Sequence, residues 1–171
     1  TFFFFFHYLK SATPLVQRMV ADGHTIGNHS YNHPNMAKLS DEEILKEWQL
    51  FDEKLKELTK VNRTYYARPP EGIYNERVLK VGIENNYRHI FWSIAFKDWD
   101  RNSTLPASYA YDALMKQLHP GAIILMHSVA RHNAEALPQF IKDAKAKGYT
   151  FASIDDLVMS YELEKLNLFG Q

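Results

Sequence analysis

The chain has 171 residues, 46% hydrophobic and 23% charged, with 20 Lys plus Arg against 20 Asp plus Glu. That size and composition fit one folded domain with a sizeable core, and the balanced charge offers no field to nucleic acid or an anionic membrane. The absence of cysteine excludes disulfides and thiolate-ligated zinc, and no apolar run nears the roughly 18 residues of a membrane helix.

The opening run TFFFFFHYLK reads as a buried strand; it has neither the basic start nor the cleavage site of a signal segment. With no initiator methionine before it, the chain is expected to lack the start of its domain. In SATPLVQRMVADG, Thr13 reads as a helix N-cap, Pro14 as the first helical residue and Gly23 as the stop. Residues 24–28 form a short strand running into His29 and His33. A helix follows, capped by Ser40 with Glu43 and striped by Ile44, Trp48, Phe51, Leu55 and Leu58. TYYA at 64–67 is the next strand and ends at RPPEG; then come a helix from Glu76 to Asn85 and a strand over 88–96. An irregular stretch, KDWDRNSTLPAS, leads to a helix near 108–118, and HPG turns the chain into the strand AIILMH. The spacing predicts a helix over 133–147, with Pro138 delaying or kinking its start, then a strand YTFASI and a short terminal helix. With no repeats or linkers, residues 1–171 read as one domain. The alternation implies an α/β fold, a parallel sheet covered by helices, either doubly wound or closed into a barrel. Periodicity does not choose between them.

Chemistry in such folds gathers at the carboxyl ends of the strands. His29 and His33, Arg68, Asp98 with Trp99, and His127 each follow a different expected strand, so they are expected to converge on one rim. Each has a plainer reading alone. The histidines can be a polar loop pair, Arg68 a charge at a rigid turn, Asp98 a loop cap, Trp99 and His127 core residues. Pro34 disfavours helix at His33, and Ser30 stands where a helical HExxH metalloprotease motif needs glutamate. Convergence, rather than any one spacing, favours a site.

These motifs resemble those of the polysaccharide deacetylases of carbohydrate esterase family 4, the nodulation-type deacetylase homology domain. HSYNHP is similar to the family's metal motif, RPPEG to its arginine–proline–glycine motif, KDW to its Asp–Trp motif and LMH to its Leu-x-His motif. FWSIAFKDWD, HPGAIILMHS and NAEAL look closest to the branch that deacetylates muramic acid in spore-cortex peptidoglycan. The resemblance implies a distorted (β/α) barrel and hydrolysis of an N-acetyl group from an amino sugar, in peptidoglycan or a chitin-like glycan. It implies an extracellular or envelope location, no nucleic-acid partner, and a divalent metal, usually zinc, held by His29 and His33. By the same resemblance His127 is the general acid, Asp98 the carboxylate that orients it, and Arg68 the residue that positions the base. Glu71 supplies an oxyanion-binding backbone N–H, and Trp99 and Leu125 line the acetyl pocket. The family's Thr-Phe-Asp-Asp motif, source of the base and a third metal ligand, has no match here. The chain is therefore expected to lack the family's first strand and to hydrolyse poorly. The rival readings are a non-catalytic carbohydrate-binding or structural remnant of the same fold, and a metal-binding storage or sensor domain.

Overall fold

The computed structural model describes residues 1–168, and the chain divides into two compact units, Thr1–Phe91 and Trp92–Gln171. The first unit is built on a four-stranded parallel sheet of β1 (Phe2–Phe4), β2 (Ile26–Asn28), β3 (Tyr66–Ala67) and β4 (Arg88–His89), in that order. Parallel neighbours require crossovers, supplied by α1 (Phe6–Ser11), α2 (Thr13–Ala21), α3 (Asp41–Thr59) and α4 (Glu76–Glu84). This is the α/β class with a parallel sheet that the alternation implied.

Only the first part of the phenylalanine run is strand. Phe5 is the N-cap of α1, and Phe6 already lies in helix, its ring stacked on Tyr31 at 4.4 Å. Phe3 pairs with Gly27 in register, and its ring rests where a Cβ on Gly27 would stand, so β1 packs on β2 only because that residue is glycine. Thr13 is not the cap of α2. Ala12 holds that position, and the Thr13 hydroxyl donates back to the Leu9 carbonyl at 2.8 Å, which makes Thr13 the first helical residue. Gly23 ends the helix at φ 80°.

α3 follows its sequence signals closely. Ser40 accepts from the Glu43 N–H at 3.3 Å and Glu43 from the Ser40 N–H at 2.8 Å, closing the capping box. Ile44, Trp48, Phe51 and Leu55 are fully buried, each such burial worth roughly 1.5–3 kcal/mol. Gly82, inside α4, is there for contact: the His89 ring occupies the space a Cβ would need.

The second unit holds α5 (Ala107–Gln117), α6 (Arg131–Ala146) and α7 (Ile154–Leu168). Its core gathers Ile94, Leu114, Phe140 and Ala144. Here the expected strands shrink. Beyond β4, the stretch expected to run to residue 96 forms no further strand and makes an isolated bridge between Ile94 and Ile124. The Ser93 and Ile94 N–H groups both donate to the Ile123 carbonyl, at 3.0 and 3.2 Å. YTFASI forms no strand. Ser153 and Asp156 cap each other instead, at 3.0 Å in each direction, and start α7 at Ile154. α6 begins at Arg131, ahead of the expected start, and carries Pro138 in its interior. Among the described residues no helix is long and apolar enough to cross a membrane.

Candidate active-site residues

The histidine pair hangs from the carboxyl end of β2. The His29 N–H donates to the Phe4 carbonyl at 2.9 Å, and the Arg68 N–H to the Asn28 carbonyl at 2.8 Å, fixing the backbone between β1 and β3. The loop beyond is tight and strained, with Ser30 at φ 68° and His33 at φ 59°. Left-handed backbone costs an ordinary residue roughly 1–2 kcal/mol, so it persists only where neighbours enforce it. Asn28 Oδ1 accepts from the Ser30 N–H and Ser30 Oγ from the His33 N–H, both at 2.9 Å. Glu47, on α3, accepts from the Tyr31 N–H at 2.9 Å and from the Asn32 N–H and side-chain amide at 2.7 Å each. Below them Asn28 Nδ2 donates to the Trp48 carbonyl and to Asp52. Asp52 also accepts from Thr64 and Tyr87; burial pushes its carboxyl above the ordinary range, and these hydrogen bonds work against that rise.

This scaffold brings the two rings together, with centroids 4.9 Å apart and planes near perpendicular. His29 Nδ1 lies 2.6 Å from the Arg68 carbonyl oxygen. A carbonyl only accepts, so Nδ1 carries the proton and Nε2 keeps its lone pair, the neutral form a metal takes. Two imidazoles on one tetrahedral zinc, at nitrogen distances of about 2.0–2.1 Å, would have centroids about 5 Å apart, so the pair fits that donor role. Among the described residues no group of three or more His, Cys, Asp or Glu gathers around a common point.

Arg68 is buried. Its Nε donates to the Ile90 carbonyl at 3.1 Å, its guanidinium lies 4.1 Å over the Phe3 ring, and burial lowers its pKa to about 10. Glu71 is exposed, at φ 59° in the turn Pro70–Gly72, and its N–H has no acceptor among the described residues.

In the second unit Asp98 and His127 form a couple. Asp98 is 2% exposed, and its Oδ1 lies 2.6 Å from His127 Nδ1. Its Oδ2 accepts from the His127 N–H at 2.7 Å and from Asn133 Nδ2 at 2.6 Å. With Nδ1–H turned to the carboxylate, Nε2 is the nitrogen left to exchange a proton, and the His127 side chain is 39% exposed. Trp99, 58% exposed, stands edge-on to His127 at 6.1 Å between ring centroids, so it is a surface aromatic and not core. Leu125 is half-buried and held by its N–H to the Ile94 carbonyl at 2.9 Å. The residues singled out in the sequence thus fall into two sets, His29, His33, Arg68 and Glu71 in one unit and Asp98, Trp99, Leu125 and His127 in the other. Sequence reading gave no role to Asn28, Glu47 and Asn133, whose longest-range contacts reach 16 to 35 residues away in sequence. The available signals were the polar stretch around Asn28 and the NAEAL segment that begins at Asn133.

The polysaccharide deacetylase family model matches residues 1–90, just over half of the chain. This chain belongs to the polysaccharide deacetylase family. Over 163 residues it is 44% identical to the peptidoglycan-N-acetylmuramic acid deacetylase PdaA of Bacillus subtilis, covering 95% of this chain and 62% of PdaA. The solved structure of that family 4 carbohydrate esterase matches at TM-score 0.89 and 43% identity, over 94% of this chain and 68% of that one. An uncharacterized 30.6 kDa protein of Geobacillus stearothermophilus is 50% identical over 169 residues, 99% of this chain and 64% of that protein. A family 4 pseudoenzyme from Bacillus anthracis matches at TM-score 0.77 and 30% identity, over 86% of this chain and 52% of that one. The chain therefore spans a little under two thirds of the length of the first two curated relatives, and its likeness to PdaA agrees with the muramic-acid branch suggested by its motifs.

Proposed function

We propose that this chain carries the chemistry of metal-dependent de-N-acetylation of an amino sugar in a polysaccharide, with N-acetylmuramic acid of peptidoglycan as the substrate favoured by kinship to PdaA. The observation that carries the reading is the 2.6 Å bond between buried Asp98 and half-exposed His127, an arrangement that costs burial of a carboxylate and serves proton transfer.

His29 and His33 are the residues that would hold a divalent metal, zinc by the character of neutral imidazole donors. Bound there, the metal supplies Lewis acidity at the acetamide carbonyl. The Arg68 carbonyl keeps His29 in the tautomer that can ligate, and the Arg68 guanidinium takes the family's base-positioning role. Water adds to the acetyl carbon and gives up its proton to bulk solvent, since the Asp98 carboxylate is already committed to His127 and Asn133 and is not free to take it; the carbon–nitrogen bond then breaks and acetate leaves. His127 Nε2 gives the proton that the departing amine requires, while Asp98 stabilises and orients the ring. The open Glu71 N–H is suited to donate to the negative charge that develops on the acetyl oxygen, and Trp99 and Leu125 offer apolar surface for the methyl group. The site of action is the cell envelope.

A second reading, glycan binding without hydrolysis, is supported by the histidines standing as a pair without a third clustered ligand among the described residues. Acetate release separates the two. Incubation with zinc and either N-acetylglucosamine oligomers or muramyl glycan is expected to yield acetate from the muramyl substrate, slowly, because no base among these residues takes the proton of the attacking water. Binding to both glycans with no acetate from either overturns the enzymatic reading in favour of the second.

A further inference from the structure

Asn133 stands in the first turn of α6, 4% exposed. Its Nδ2 donates to Asp98 Oδ2 at 2.6 Å and to the His127 carbonyl at 2.8 Å. Its Oδ1 is buried with no donor among the described residues. Turning the amide over would press Oδ1 against two acceptors, so the couple itself dictates which way the amide points. An orphaned buried acceptor is uncommon and calls for an explanation beyond stability.

The explanation lies in the freedom of a carboxylate. The last torsion of an aspartate side chain is soft, so one hydrogen bond does not fix the plane of its two oxygens. Held only by the His127 N–H at 2.7 Å, Asp98 Oδ2 could swing and carry Oδ1 off Nδ1. Asn133 adds a second donor to Oδ2 and ties the same amide to the His127 backbone, so carboxylate and imidazole are referred to one rigid point on a helix. We propose that Asn133 is a positioning residue that aims the Asp98 carboxylate at His127 Nδ1. It touches no reacting atom, and its catalytic consequence rests on the reading of His127 as proton donor.

The test uses Asn133→Asp, which keeps the shape but replaces both N–H donors with oxygen, alongside Asn133→Ala. The readouts are the His127 Nδ1–H proton resonance, assigned by its loss in His127→Ala, and steady-state acetate release. Both variants are expected to lose or broaden that resonance while keeping the folded amide spectrum. Turnover should fall about 10–100-fold, as for other outer partners of a catalytic histidine, with KM within about twofold. An unchanged resonance with turnover within about twofold of wild type would overturn the proposal. So would loss of the folded spectrum in both variants, which would make Asn133 merely structural. Loss of the resonance in a protein whose wild type releases no acetate supports the positioning role and counts against the deacetylase reading alone.

Discussion

The histidine loop of the first unit and the acid couple of the second are both rigid, but they are held by different means. The loop is held through its backbone: Asn28, Ser30 and Glu47 bind successive N–H groups, and a main-chain carbonyl sets the His29 ring. The couple is held through side chains, with a buried carboxylate receiving three N–H donors, two of them from His127. A metal site needs fixed lone pairs and a fixed loop. A proton donor needs one nitrogen committed and the other left open. The difference in support matches the two tasks proposed for them.

Removing the centre of the second arrangement should have the largest effect. Asp98→Ala is expected to lower kcat by about 10²–10⁴-fold while leaving zinc affinity in place, measured by acetate release and calorimetric zinc titration. A kcat near wild type would mean that the couple is structural.

The next effect belongs to the core of the first unit and is read in pH. Burial lowers the pKa of His89 from its ordinary 6.5 to about 4. Between those values the unfolded chain binds a proton that the folded chain refuses. Stability from this group is therefore complete above about pH 6.5 and declines as pH falls toward 4, by about 3 kcal/mol in all. Urea unfolding at pH 7.5 and 4.5 should show that decline, and His89→Asn should flatten it. Equal slopes in the two proteins would remove His89 from the account.

Glu47→Ala sharpens the comparison from the loop side. It deletes no ligand, yet it frees the Tyr31 and Asn32 backbone between the two histidines. Zinc affinity should drop about 10–100-fold, the usual effect of losing an outer support. Unchanged affinity would show that the left-handed turns alone hold the pair. The smallest effect is Ser40→Ala, which opens the capping box of α3 and should cost about 1 kcal/mol of stability by thermal or urea unfolding.

What the sequence disclosed divides along physical lines. α3 was legible because its period, its cap and its apolar stripe all lie within the segment that folds. The strands of the first unit were legible because their neighbours exist to pair with them. FWSIAF and YTFASI have the same apolar character, but strand formation depends on a partner's register, which no single segment encodes. YTFASI also contained its own counter-signal, the Ser153–Asp156 box, that reads as a helix start. Among site residues, the histidines, Arg68, Asp98 and His127 stood in recognisable motifs. Asn133 stood in NAEAL, which marked a branch resemblance but no role, because nothing in that segment predicts a hydrogen bond to a carboxylate 35 residues earlier.

Metal holding and proton donation are proposed to belong to separate sets of residues, and one paired measurement tests that division. Zinc affinity and kcat are determined for wild type and for His127→Ala. The account predicts zinc affinity unchanged within about twofold and kcat lowered at least about 100-fold. Parallel loss of zinc binding and turnover would make His127 a metal ligand and contradict the division of roles.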